Sequence, residues 1–228
     1  RQALNSHQGW TEAWKKPQLQ SRYDVVIIGG GGHGLATAYY LAKRNSGLRV
    51  AVLERGWIGG GNTGRNTTVV RSNYFLKENA DFYEHSLKLW ENLTQELNFN
   101  LMFSQRGVVT LCHSFHDMES STNRYNAVRL NDIDSDTLTR EQLKVMLPDL
   151  NYDADARFPI SGAVIQRRAG VARHDAVAWG FARAASRLGV DIIENCEVTG
   201  IDINKNTVSG VRTSKGNVRC DRSEEQTS

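Results

Sequence analysis

The sequence predicts an α/β fold in which a Rossmann-like domain is interleaved with an α+β domain. Three observations carry this. A β-branched apolar run at residues 23–28 is followed by glycines and then by apolar residues at helical spacing. A second buried-type run at residues 49–53 ends on an acid, Glu54. Strand-like and helix-like segments then alternate until a strong helix from His174 leads back into strands.

The first element reads "YDVVIIGGGGHGLATAYYLAKR", with Gly29, Gly31 and Gly34 in the pattern G-x-G-x-x-G. The first glycine permits the tight turn, the second lets the backbone approach a pyrophosphate, and the third lets helix and strand pack closely. The helix N-terminus then faces the phosphates. Glu54 lies 20 residues beyond Gly34 at the end of the second strand. That is where a dinucleotide-binding fold places the acid that accepts bonds from ribose hydroxyls. Strand, glycine turn, helix, strand and acid in this order predict a dinucleotide site.

The bulk composition narrows the function classes. A chain of 228 residues holds one large domain or two small ones, and its net charge of +3 offers no strong field for nucleic acid or membrane. Cys112, Cys196 and Cys220 lie far apart without C-x-x-C spacing, as expected of reduced thiols in a cytoplasmic protein. No signal-peptide pattern precedes Tyr23, and the histidines show no metal-ligand spacing.

After Glu54 and Arg55 comes "GWIGGGNTGRNTTVVR", a loop of small and amide side chains suited to covering a polar ligand. Residues 78–97 read as an amphipathic helix with Phe82, Leu89, Leu93 and Leu97 near one face. Residues 107–112 and 161–166 read as strands, and 114–130 as a polar helix. Thr139 with Gln142 forms a capping box for a short helix ending before Pro148. The helix from His174 to Leu188 stops at Gly189, and a hairpin is expected through Asn204 to Asn206.

These segments give four regions: an N-terminal arm (1–22) with Trp10 and Trp14, a discontinuous cofactor domain (23–75 and 170–203), part of a substrate domain (76–169), and a hairpin with an incomplete end (204–228).

Four motifs together resemble one family. "VVIIGGGGHGLATAYYLA", "ERGWIGGGNTGRNTTVVRSNY", "MFSQRGVV" and "ARHDAVAWGFARAASRLGVDII" are similar to the β subunit of heterotetrameric sarcosine oxidase, among the FAD-dependent amine oxidases that resemble D-amino-acid oxidase. The resemblance implies non-covalent FAD. Gly29, Gly31, Gly32, His33 and Gly34 would line the pyrophosphate turn, and Glu54, with Arg55 beside it, would hold the ribose. Asn62, Thr63, Arg65, Asn66 and Thr67 would lie along the flavin, and the Val198 backbone would meet the adenine. The resemblance further implies FMN bonded covalently to His174 at the interface with an α subunit. Neutral histidine is a suitable nucleophile near neutral pH.

The implied reaction oxidises sarcosine to glycine. Electrons pass from FAD to FMN, O2 becomes H2O2, and the one-carbon unit goes to tetrahydrofolate as 5,10-methylenetetrahydrofolate. NAD and tetrahydrofolate belong to the α subunit, and γ and δ subunits complete the assembly. Arg71 is a candidate for the substrate carboxylate, with a structural salt bridge as the other reading. Another FAD-dependent amine oxidase, of glycine or dimethylglycine type, and a non-catalytic nucleotide-binding remnant are the alternatives.

Overall fold

The computed structural model describes residues 12–225, so Trp10 lies outside the described residues. In chain order the first elements are β1 (Arg22–Ile28), α1 (Gly32–Arg44), β2 (Val50–Leu53), β3 (Val69–Val70) and α2 (Lys77–Leu97). Then follow β4 (Val108–Cys112), α3 (Phe115–Arg129), β5 (Asp136–Thr139), α4 (Arg140–Met146), β6 (Gly162–Gln166) and β7 (Gly170–Val171). The last are α5 (His174–Arg187), β8 (Asp191–Ile193), β9 (Val198–Asn204), β10 (Thr207–Thr213) and β11 (Gly216–Glu225). They form two units, the first from residues 12–66, 97–99 and 174–225 and the second from 67–96 and 100–173.

The first unit is built on a six-stranded sheet in the order β8-β2-β1-β11-β10-β9. The run from β8 to β11 is parallel, and β9, β10 and β11 form an antiparallel meander. β1 and β2 are apolar on both faces: Val26, Ala51 and Leu53 are buried in a cluster with Ile193, Val211 and Val218, and Val52 is wholly buried as well. α1 packs on α5 through Tyr39 and Phe181, whose rings lie 5.9 Å apart. Ala178, Ala182 and Ala185 on α5 are fully buried, and their small side chains allow a close helix approach.

The strands after residue 203 do not stand apart as a terminal hairpin. β11 inserts beside β1 with Tyr23 opposite Cys220, and the buried Val211 and Val218 join the same core. Their alternating apolar residues face this core, a long-range partner that local pattern does not reveal.

The second unit holds an antiparallel sheet in the order β4-β6-β5 and the short pair β3-β7. One core cluster forms around Leu138, Leu143, Tyr152 and Ile165, another around Ala80, Tyr125, Val128 and Val164. α4 opens with the expected capping box between Thr139 and Gln142. α2 departs from the expected face: Leu93 and Leu97 are buried, but Phe82 and Leu89 are exposed. Ala80, Glu84 and Leu87 take the inner positions, because Glu84 meets an arginine partner there. β3 and β7, of two residues each, are too short to announce themselves in sequence, and β5 is too short and polar.

Among the described residues no helix is long and apolar enough to cross a membrane. The three cysteines are buried and free.

Candidate functional site

The glycine turn connects β1 to α1 in the first unit. Gly29 has φ +106°, a conformation open mainly to glycine, and its N–H donates to the Leu53 carbonyl at 2.8 Å. This bond ties the ends of β1 and β2 together. Gly31 is the N-cap of α1, with no side-chain cap on the helix and no acid in its first turn. Gly32 N–H donates to Thr63 Oγ1 at 2.9 Å. A helix N-terminus lacking an acidic side chain retains its attraction for an anion.

Glu54 sits where β2 ends. Its Oε2 accepts from Gly30 N–H at 2.7 Å and its Oε1 from Gly56 N–H at 2.8 Å. A carboxylate offers about four lone-pair sites, so each oxygen keeps capacity for one further donor. Two vicinal hydroxyls fit that vacancy. The backbone of Glu54 is fixed on both sides, its N–H donating to Ile193 and its carbonyl accepting from Cys196 N–H at 2.8 Å. The segment leading to Val198 at the start of β9 is thus bonded to Glu54.

The loop after Glu54 folds back on the turn. Gly59 N–H donates to the Gly30 carbonyl at 2.9 Å, and Ile58 N–H donates to Glu194 Oε1 at 3.0 Å. A Cβ on Gly30 would lie 3.0 Å from both Glu54 Cβ and Ile58 Cγ2, so glycine is needed for close approach. Gly32 has room for one, with Thr63 Oγ1 at 3.7 Å.

Hydrogen bonds therefore tie the glycine turn to β2 and the loop after it, Gly29 to Leu53, Gly30 to Glu54 and Gly32 to Thr63, with Gly31 and Gly34 at the opening of α1. Thr63, expected along the flavin, holds the amide of Gly32 at the glycine turn. Asn62 and Arg65 share a 3-10 turn with Thr63, and Asn66 Nδ2 donates to the Thr63 carbonyl at 2.7 Å. His33 and Arg55 are exposed. Thr67 and Arg71 belong to the second unit. His174 opens α5, and its Nδ1 is buried without a hydrogen-bond partner among the described residues. Sequence reasoning missed Gly30, Gly56, Gly59 and Glu194, which hold Glu54 and its loop. Gly30 lay in the glycine run and Gly56 and Gly59 in the glycine-rich loop without being singled out, and Glu194 carried no signal.

Comparison with known proteins agrees with this geometry. The chain is 55% identical over 217 residues to "Sarcosine oxidase subunit beta" of Rhizobium meliloti (strain 1021), covering 95% of this chain and 52% of the relative. It is 53% identical to the protein of that name from Arthrobacter sp, covering 91% and 51%. The chain thus spans about half the length of the curated relatives it matches. Among solved structures, L-proline dehydrogenase from P. horikoshii superposes with a TM-score of 0.83 at 27% identity, over 92% of this chain and 54% of the other. The DAO family, described as FAD dependent oxidoreductase, matches residues 24–222. With this match over most of the chain, the chain belongs to the DAO family of FAD dependent oxidoreductases.

Proposed function

We propose that this chain is the flavin-binding part of a sarcosine oxidase β subunit, acting in the oxidative demethylation of sarcosine to glycine. The observation that carries the reading is the Glu54 carboxylate, half-satisfied by two glycine amides beside a helix N-terminus without a side-chain cap. FAD, when bound, supplies the two-electron oxidation of the amine's N-methyl carbon.

The protein's own residues bind and orient. The α1 N-terminus with Gly29, Gly31, Gly32, His33 and Gly34 receives the pyrophosphate, and Glu54 with Arg55 takes the adenosine ribose. The Val198 backbone meets the adenine, while Asn62, Thr63, Arg65, Asn66 and Thr67 line the cofactor toward the flavin. Arg71 takes the substrate carboxylate, since a guanidinium forks onto two oxygens.

His174 is the attachment point for covalent FMN. Its buried Nδ1 without a partner supports this, because an unsatisfied buried nitrogen calls for a group to meet it. Peroxide formation, capture of the one-carbon unit by tetrahydrofolate, and assembly with α, γ and δ subunits complete the proposal.

Acid precipitation of the full-length assembled enzyme tests this reading. Flavin retained in the pellet, and a flavin mass on the tryptic peptide of His174, are the expected results. His174→Ala should remove the covalent flavin while FAD stays bound. A colourless pellet above which all flavin stays in solution would instead identify a single-flavin amine oxidase.

A further inference from the structure

We infer that Gln166 is a positioning residue for the amino-acid carboxylate: its buried carboxamide sets the conformation of residues 71–74, from which Arg71 presents its guanidinium. The inference rests on the reading of Arg71 given above.

β3 ends at Val70, so the backbone that follows has no strand to pair with. Gln166, wholly buried at the end of β6, takes that place. Its Oε1 accepts from Ser72 N–H at 2.9 Å and from Asn73 N–H at 3.3 Å. Its Nε2 donates to Ser72 Oγ at 2.7 Å and to Asp134 Oδ1 at 3.2 Å. The two backbone donors fix which end of the carboxamide is oxygen.

The network continues outward. Ser72 Oγ donates to Glu84 Oε2 at 2.7 Å, and Glu84 Oε1 accepts from Arg168 Nη1 at 2.6 Å. Arg168 also grips Glu91 with two bonds of 2.9 Å. Ser72, Asn73, Glu84 and Gln166 are four of the six polar or charged residues buried among the described ones. So concentrated a network fixes one local geometry.

What it fixes is the presentation of Arg71. Its Nη1 donates to Asn73 Oδ1 at 2.9 Å, and its guanidinium lies 4.4 Å from the centre of the Tyr74 ring. Tyr74 in turn stacks on Tyr83 at 4.2 Å. The guanidinium is held on one edge and one face, which leaves the remaining fork of donors pre-oriented.

The experiment compares sarcosine with its neutral amide, sarcosinamide, in the full-length assembled enzyme. Gln166→Met keeps the volume and deletes all four bonds. We expect KM for sarcosine to rise about tenfold with kcat within about threefold, and kcat/KM for the amide to stay within about twofold. Arg71→Ala is the control for the underlying reading. If it leaves the preference for the carboxylate intact, Arg71 does not hold that group, and the inference falls with its premise. If Arg71→Ala abolishes the preference while Gln166→Met retains it, only the inference is overturned. Equal losses on both substrates would make Gln166 merely structural and would also overturn it. Should Gln166→Met fail to accumulate, Ser72→Ala removes one hydroxyl and reads the same split.

Discussion

Glu54 in the first unit and Gln166 in the second perform the same physical task under different conditions. Each side chain gathers two backbone N–H groups that lie outside any strand, Glu54 from two separate loops and Gln166 from adjacent residues. Glu54 does so with a charge, half-exposed, with lone pairs left over for a ligand. Gln166 does so with a neutral amide, fully buried, with its capacity spent inside the protein. A charge suits a site that must recruit hydroxyls, because charge-assisted bonds are the stronger ones. A carboxamide suits a core, where an unpaired charge would be costly to bury. The core around Gln166 nevertheless contains Glu84, a carboxylate met by Arg168 and Ser72 and, at 3.8 Å, by the Lys88 ammonium.

The largest effect is expected from breaking that arrangement. Arg168→Met should destabilise the protein by about 2–4 kcal/mol, since removing one partner strands a buried carboxylate. Arg168 is about one-third exposed, which holds the loss toward the lower part of that range. The double variant Glu84→Gln with Arg168→Met should recover most of the loss, because the stranded charge is gone. Urea unfolding midpoints of the single and double variants check this. Equal destabilisation in both would mean that the ion pair is passive and that packing alone carries the effect.

How much of this was legible differs between the two regions for a physical reason. The glycine turn and Glu54 are close in sequence, and the chemistry of a dinucleotide fixes their spacing, so they could be read directly. The α1 helix, the capping box of α4 and the α5 helix were legible on similar local grounds. The Gln166 network was not, because it joins residues more than ninety positions apart through side chains that are individually ordinary. Nor was the burial of Glu84, since helical periodicity alone places apolar residues, not a charge, against the core. Phe82 and Leu89 were placed near the buried face for that reason, and they lie exposed. β11 escaped recognition as a sheet partner of β1 because its polar composition gives no hint of the strand beside it.

A smaller loss is expected on the other side of the comparison. Glu54→Ala should weaken FAD binding in the full-length protein by about 1–3 kcal/mol, the value of charge-assisted bonds to hydroxyls. The fold should survive, because Glu54 is half-exposed and the backbone bonds to Ile193 and Cys196 remain. Titration of the apoprotein with FAD gives the affinity, and thermal unfolding gives the stability. A fall in stability as large as that for Arg168→Met would show that Glu54 is a structural carboxylate like Glu84, and the contrast between the two regions would disappear.

The smallest effect comes from an ion pair that lies open to water. Asp24, on β1, accepts from Arg49 through its side chain at 2.7 Å and from the Arg49 backbone N–H at 2.9 Å. The Arg49 guanidinium, together with that backbone bond, lowers the carboxyl from 3.8 to about 2. A depressed carboxyl contributes stability that is fully present above its unfolded value and is lost as pH falls through the folded one. The contribution of Asp24 should therefore fade between about pH 4 and pH 2, and Asp24→Asn should flatten that part of the stability curve. The variant should lie slightly below the parent above pH 5, by little because water screens exposed pairs, and the two curves should converge near pH 2. An NMR titration following the Asp24 carboxyl carbon would place its midpoint directly. A midpoint near 3.8 would mean that the Arg49 contact is not maintained in solution.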